Sequence, residues 1–338
     1  LSALKIYSQF YTSVDLIYIE CQWKIADCYY YLGQNEDAKS IYDATLPNVD
    51  VSEGFTMEYI QSTFNYSNLL LDKDFYDQAY TYIIQLKDIY DQLGGDYELA
   101  ILNKNQGLCL HKTGKYEEAE LAYQASDLKF KAINDQSSSE YFNLLNLRAV
   151  NFEKLGKTEQ AAELLALVGT SGDEGSKSLA LSNEAMIEFQ EGNYQAAEKL
   201  FESLLALEKS EANSTNYVNS TLDLALVKLK LNKKDQAKIL IDNIGSSFSD
   251  DTSHLKAKYL YVMGQYHDAT GNWKNALTNY EVSLDLLARN NGSGPLYLNV
   301  LGAIGVNYQL NGDYLQAESA FLEQLNGLNI SGQPATPS

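Results

Sequence analysis

The chain has 338 residues, 45% of them hydrophobic and 12% aromatic, with 45 acidic against 25 basic side chains and a net charge of −20. Apolar content at that level is enough to build a core and excludes a disordered polymer over most of the length. An acidic surface repels phosphate, which argues against nucleic acid or an anionic membrane as partner and in favour of a basic or apolar peptide; the same charge keeps a tyrosine-rich chain soluble.

Taken in order, residues 1–18 carry Ala3, Tyr7 and Phe10 at helical spacing, the pattern of the second helix of a truncated repeat. The chain starts in mid-pattern at Leu1, so it reads as beginning inside a longer array. Over residues 19–328 one motif then recurs: a turn residue, an alanine five positions later, and a large apolar residue four beyond that. The alanines are Ala38, Ala79, Ala119, Ala161, Ala197, Ala237, Ala276 and Ala317, separated by 41, 40, 42, 36, 40, 39 and 41 residues. Self-similarity at that period predicts one elongated domain of stacked helix pairs, each touching its neighbours, in place of a single globular core.

The last copy is the clearest. Leu301, Ile304, Gly305 and Tyr308 fall on one helical stripe, Gly312 ends that helix, and Tyr314, Ala317 and Phe321 form the stripe of a second. Small Gly305 and Ala317 permit close approach, and Tyr308 and Phe321 fill the remaining space. Breaks between copies are expected at 46–55, 137–139, 169–177, 245–253 and 290–295, with 169–175 the loosest in composition. Residues 329–338 are small, polar and proline-containing, the composition of a flexible linker to something further along a parent protein.

Catalytic signals are absent. The three histidines, His111, His254 and His267, accompany no metal-ligand spacing, and no phosphate loop, dinucleotide fingerprint or nucleophile elbow occurs. Cys21, Cys28 and Cys109 form no disulfide framework and read as reduced core residues. No apolar run reaches the roughly 18 residues of a membrane span and no signal peptide is visible. The expectation is a cytoplasmic chain without catalytic activity, cofactor or metal.

The anchors Ala26-Tyr29-Gly33-Ala38-Tyr42, Gly107-Leu110-Gly114-Ala119-Tyr123, Gly264-His267-Gly271-Ala276-Tyr280 and their counterparts in the other copies resemble the tetratricopeptide repeat (TPR) pattern. The spacing of about 40 residues, against the family's usual 34 or so, is similar to the long-helix repeats of kinesin light chains and of bacterial arrays preceding caspase-like CHAT peptidase domains. The resemblance implies an all-α, right-handed superhelical solenoid of stacked antiparallel helix pairs, with about eight repeats and 16 to 17 helices. Two copies depart from the pattern, with Glu188 and Lys228 where the family has a large apolar residue. A rotated or shifted first helix, with Phe189 as substitute, and weaker packing over 175–230 are expected there.

The resemblance also implies that the first helix of each pair lines a concave surface that binds a protein or peptide. Projected from the anchors, that surface holds Glu20, Trp23, Asp27 and Tyr30 in the first copy and Gln61, Phe64, Asn65 and Asn68 in the second. Asn105 and Asn183 repeat the position of Asn65. In long-helix TPRs such asparagines hydrogen-bond a peptide backbone, since an amide offers donor and acceptor together. The alternatives are a sensory or recruiting region for a C-terminal effector, held intramolecularly, and a peptide-pheromone type of TPR receptor.

Overall fold

The turn inside each repeat is where sequence dictates backbone most directly. In the computed structural model, which describes residues 16–49, 55–208, 214–245, 254–289 and 294–330, all eight expected turn residues lie in the left-handed region, from φ 58° at Asn232 to 83° at Gly192. Only glycine, asparagine and aspartate occupy these sites, the residues that tolerate that conformation. The next residue donates its N–H to the carbonyl five positions earlier, as Gln34 to Tyr29 (2.9 Å) and Asp313 to Tyr308 (3.0 Å). Its own carbonyl accepts the N–H of the repeat alanine, as Gln34 from Ala38 and Asp313 from Ala317, both at 3.1 Å. One residue thus closes the first helix and opens the second, which fixes the five-residue spacing from turn to alanine.

The chain forms two compact units, residues 1–144 and 145–338. Unit 1 contains α1 (Leu16–Tyr31), α2 (Asn35–Thr45), a 3-10 turn (Leu46–Asn48), α3 (Met57–Asp72), α4 (Tyr76–Leu93), α5 (Asp96–Lys112) and α6 (Tyr116–Ala132). The boundary between the units falls inside α7 (Ser139–Lys154). Unit 2 continues with α8 (Thr158–Ser171), α9 (Glu174–Gln190), α10 (Tyr194–Glu208), α11 (Thr215–Lys230) and α12 (Lys234–Gly245). It ends with α13 (His254–Ala269), α14 (Trp273–Arg289), α15 (Pro295–Leu310) and α16 (Tyr314–Ile330). Among the described residues all regular structure is helical. The expected helix before residue 16 and the linker beyond residue 330 lie outside the described residues.

Packing follows the anchors. All eight repeat alanines are buried, as are the small residues of the first helices such as Ala26, Ser67, Ala149 and Ala225. Where the first helix offers glycine, the partner ring occupies the space a side chain would need: a Cβ on Gly305 would meet Phe321 Cε1 at 2.5 Å, and Gly107 and Gly264 are filled likewise by Tyr123 and Tyr280. This is the small-with-large interdigitation that close helix packing requires.

Three expectations need correction. The break over 169–177 contracts to Gly172 and Asp173, because the Asp173 carboxylate caps α9, accepting from the Ser176 N–H (2.9 Å) and Ser176 Oγ (3.0 Å). The first helices carrying Glu188 and Lys228 are not shifted: Ala185 and Ala225 are fully buried, and both turns keep the shared hydrogen-bond pattern, which uses only the Glu188 and Lys228 backbones. Lys228 is buried against Glu198 and Glu202, both at 2.6 Å, and Lys233 also reaches Glu198 at 2.6 Å. Phe189 packs beside Ala185, Ala197 and Phe201. Of the cysteines only Cys109 is a core residue; Cys21 is half-buried and Cys28 exposed. Burial pushes the Cys109 thiol up to about 12.

Candidate functional site

Along the first helices of unit 1 the polar side chains of successive repeats meet in a regular way. The residue one position after the small anchor of a repeat pairs with the residue two positions before the anchor of the next. Asn65 Nδ2 donates to Asp27 Oδ1 (2.9 Å), and Asn105 Nδ2 donates to Asn68 Oδ1 (3.3 Å). Asp27 is the hub of the first rung. Its carboxylate also accepts from Tyr42 Oη (2.6 Å) and Ser62 Oγ (3.1 Å), so α1, α2 and α3 converge on one charge. Burial, followed by the bond to Asp27, pushes the Tyr42 phenol well above its ordinary value.

Asn65 is itself buried and nearly saturated. Its Oδ1 accepts from Gln61 Nε2 (3.1 Å) and from the hydroxyl of Tyr31 (3.3 Å) while Nδ2 holds Asp27. The solvent-facing members of the cluster are therefore Gln61 and Tyr31, both exposed, with Asn68 half-buried at the next rung. Tyr31 stacks at a tilt on Tyr30, ring centroids 5.4 Å apart. Tyr30 is half-buried, and burial, with Asp72 nearby, raises its phenol.

Of the remaining expected site residues, Glu20 is half-buried on α1 and Phe64 packs against the unit 1 core. Asn105 is buried. Asn183 belongs to unit 2 and sits 3.5 Å from Asn146 Oδ1, a similar contact between first helices but at the limit of a hydrogen bond. Trp23 is not a surface residue. It is fully buried, donates Nε1–H to Thr45 Oγ1 (3.0 Å), and meets Tyr59 edge-on at 5.7 Å. The structure thus brings Asp27, Gln61 and Asn65 together and places Trp23 in the core.

Tyr31 and Ser62 join the cluster without standing out in the sequence. Tyr31 lies one helical turn beyond Asp27 on α1, and that i, i+4 relation is the sequence signal that points to it. A depression in unit 1, of about 460 Å³, is lined by side chains of α2, α3 and α4, among them Asp43, Tyr59, Tyr66, Tyr82 and Gln85. Its carboxylate is internally engaged, Asp43 accepting from Lys39 at 2.7 Å and from the Tyr66 hydroxyl. Among the described residues no cluster of His, Cys, Asp or Glu is arranged to hold a metal ion, and no helix is long and apolar enough to cross a membrane.

Against known proteins, a sequence profile of the tetratricopeptide repeat matches residues 20–46. No curated relative matches the chain. Among solved structures, the apo form of the quorum sensor NprR from B. thuringiensis aligns with TM-score 0.68 at 15% identity, covering 97% of this chain and 92% of that one. A Rap protein complexed with Competence and Sporulation Factor aligns with TM-score 0.69 at 13% identity, covering 97% and 91%. A tetratricopeptide repeat protein from Parabacteroides merdae gives TM-score 0.52 at 15% identity, covering 81% and 98%. At these identities the likeness concerns the fold.

Proposed function

Since the chain is a tetratricopeptide-repeat protein, we propose that it is a peptide-binding scaffold without chemistry of its own, and that the first-helix side of unit 1 engages an extended peptide. The observation that carries this reading is the set of exposed hydrogen-bonding groups held in place from beneath. Gln61 and Tyr31 are fixed by Asn65, which is fixed by Asp27, and Asn68 is fixed by Asn105. Amides pre-positioned in this way lose little freedom on binding and can match the alternating donors and acceptors of a peptide backbone. The exposed Tyr31 ring offers an apolar platform beside them.

Similarity of fold to NprR, which has also been solved in complex with its cognate peptide NprX, supports a peptide as the ligand class. The net charge of −20 favours a peptide with basic and apolar side chains. This favours a receptor or recruiting role over a purely structural one.

Selection of short random peptides on the purified chain, followed by calorimetry of the enriched sequences, tests the reading. Enriched peptides should weaken at least tenfold on a Tyr31→Ala, Gln61→Ala, Asn68→Ala triple variant and on addition of salt. Peptides that bind the triple variant as tightly as the parent would remove this face as the site.

A further inference from the structure

Every first helix ends at the same point of its repeat, five residues after the small anchor. Lysine stands there in three repeats (Lys112, Lys154 and Lys230), a neutral residue in four, and an acid only in one, Asp72 at the end of α3. The unpaired carbonyls of a helix C-terminus carry partial negative charge, so that end favours a cation and disfavours a carboxylate. Asp72 opposes the rule that the three lysines follow, and nothing within the chain offsets it. Among the described residues its carboxylate forms no ion pair or hydrogen bond. Lys73, its neighbour in sequence, reaches Glu36 at 3.4 Å instead. Partial burial is the leading cause that raises the Asp72 carboxyl, with Lys73 acting against the rise and Asp74 adding to it. By contrast Asp27 is met by Tyr42, Ser62 and Asn65, and Glu58 by Lys24 at 3.2 Å. A residue that breaks a local rule with no gain to the fold marks a functional position.

The surroundings of Asp72 define what it can take. It is exposed and lies one turn beyond Asn68, at the end of the stripe Gln61, Asn65, Asn68 and Asp72 on α3, so it faces the same side as the pre-positioned amides. At the corresponding end of α1 stand Tyr30 and Tyr31, ring centroids 5.4 Å apart, and Asp72 is near enough to Tyr30 to add to the effect of burial on its phenol. An uncompensated carboxylate beside two aromatic rings suits a long basic side chain: the charge meets the carboxylate while the stem lies along the rings. Amides and hydroxyls read a peptide backbone without regard to charge, so this end of the stripe is where side-chain charge is selected.

Resting on the peptide reading of this face, we infer that Asp72, with Tyr30 and Tyr31, is a subsite for one lysine or arginine side chain of the bound peptide. Short random peptides selected on the parent chain should share a lysine or arginine at one fixed place in their aligned sequences. Replacing that residue by methionine, which keeps an unbranched stem and removes the charge, should lower affinity about tenfold on the parent. The same replacement should cost less than about twofold on Asp72→Asn and on Asp72→Lys, by calorimetry at one salt concentration. Asp72→Lys gives α3 the terminal residue of α5, α7 and α11 and serves if the asparagine variant misfolds; helical circular dichroism checks both. Peptides that weaken on the Tyr31→Ala, Gln61→Ala, Asn68→Ala variant but carry no fixed basic residue overturn the subsite alone, as does a methionine penalty equal on all three chains. No enriched peptide, or peptides indifferent to the triple variant, overturns the reading of the face and the subsite with it.

Discussion

The Lys228 ammonium lies 2.6 Å from Glu198 Oε1 with both side chains buried, in a slot where the other repeats mostly place an apolar or aromatic residue. Burial alone would raise the Glu198 carboxyl, but the bonds from Lys228 and Lys233 outweigh it and hold it below the usual range. On Lys228 burial is likewise outweighed by Glu198 and Glu202, which raise the amine. Lys228→Ala should therefore destabilise the chain by about 2–4 kcal/mol, since it leaves the buried Glu198 carboxylate with less compensation. Lys228→Leu, which refills the slot, should cost less. Urea denaturation of the two variants checks the order.

Gly264 and Gly302 should respond oppositely to alanine. A methyl group at Gly264 overlaps the ring of Tyr280, which is itself held by Asp268 (2.7 Å) and Gln265 (2.8 Å). Gly264→Ala should cost about 1–3 kcal/mol from overpacking. At Gly302 the nearest atoms are the flexible amide end of Gln324, at 2.6 Å. Gly302→Ala should be neutral or raise stability by up to about 1 kcal/mol through helix propensity. Melting temperatures of the two variants decide.

Trp23→Ala and Gln61→Ala separate core from surface. Trp23 is fully buried, so its truncation should cost about 3–5 kcal/mol and leave the Thr45 hydroxyl without its donor. Gln61 is exposed, and its truncation should leave the melting temperature within a degree or two while weakening a bound peptide. Equal melting losses for both would contradict this assignment.

Stability should rise as pH falls from 7 toward about 5, in the range between ordinary carboxylate values and neutrality. Burial is the leading cause that raises the Asp268 and Glu153 carboxyls, and one Glu153 oxygen is buried without a hydrogen-bond partner. A carboxyl with a raised folded-state pKa stabilises the fold below its unfolded value and loses that contribution as pH rises through the folded one. Glu198 and Glu58, held low, act in the opposite sense and lose their contributions only in more acidic solution. Loss of self-repulsion in a chain of net charge −20 adds to the gain near pH 5. Thermal melts at pH 7.0 and 5.5 in constant salt test the direction; a lower melting point at 5.5 would refute it.

The turns are legible in the sequence because a backbone requirement restricts residue type: Gly33, Asp74 and Asn232 announce left-handed φ whatever surrounds them. The buried alanines are legible from period alone. Trp23 is misplaced by the pattern because helical spacing ranks residues by angle around one axis, whereas burial of Trp23 depends on Thr45 and Tyr59, which come from other helices. Lys228 looks like a fault for the same reason, its partners Glu198 and Glu202 lying 30 and 26 residues away. The Asp27–Asn65 rung is half visible: both residues stand out as candidates, but a single-helix projection does not show that they bond each other and are ringed by Tyr42, Ser62, Gln61 and Tyr31.

The shared residue after each turn has a consequence for how such a chain can change. Because Gln34, Phe75, Lys115 and their counterparts end one helix with their N–H and begin the next with their carbonyl, the joint within a repeat has no slack. An inserted residue there would misalign both helices at once. The distance between repeat alanines nevertheless ranges from 36 to 42 residues, and the turn-to-alanine spacing never changes. All length variation is therefore carried elsewhere, in helix extents and in the connections leading to the next pair. Those connections are the permissive points at which sequence can be lost, gained or grafted without disturbing the periodic framework.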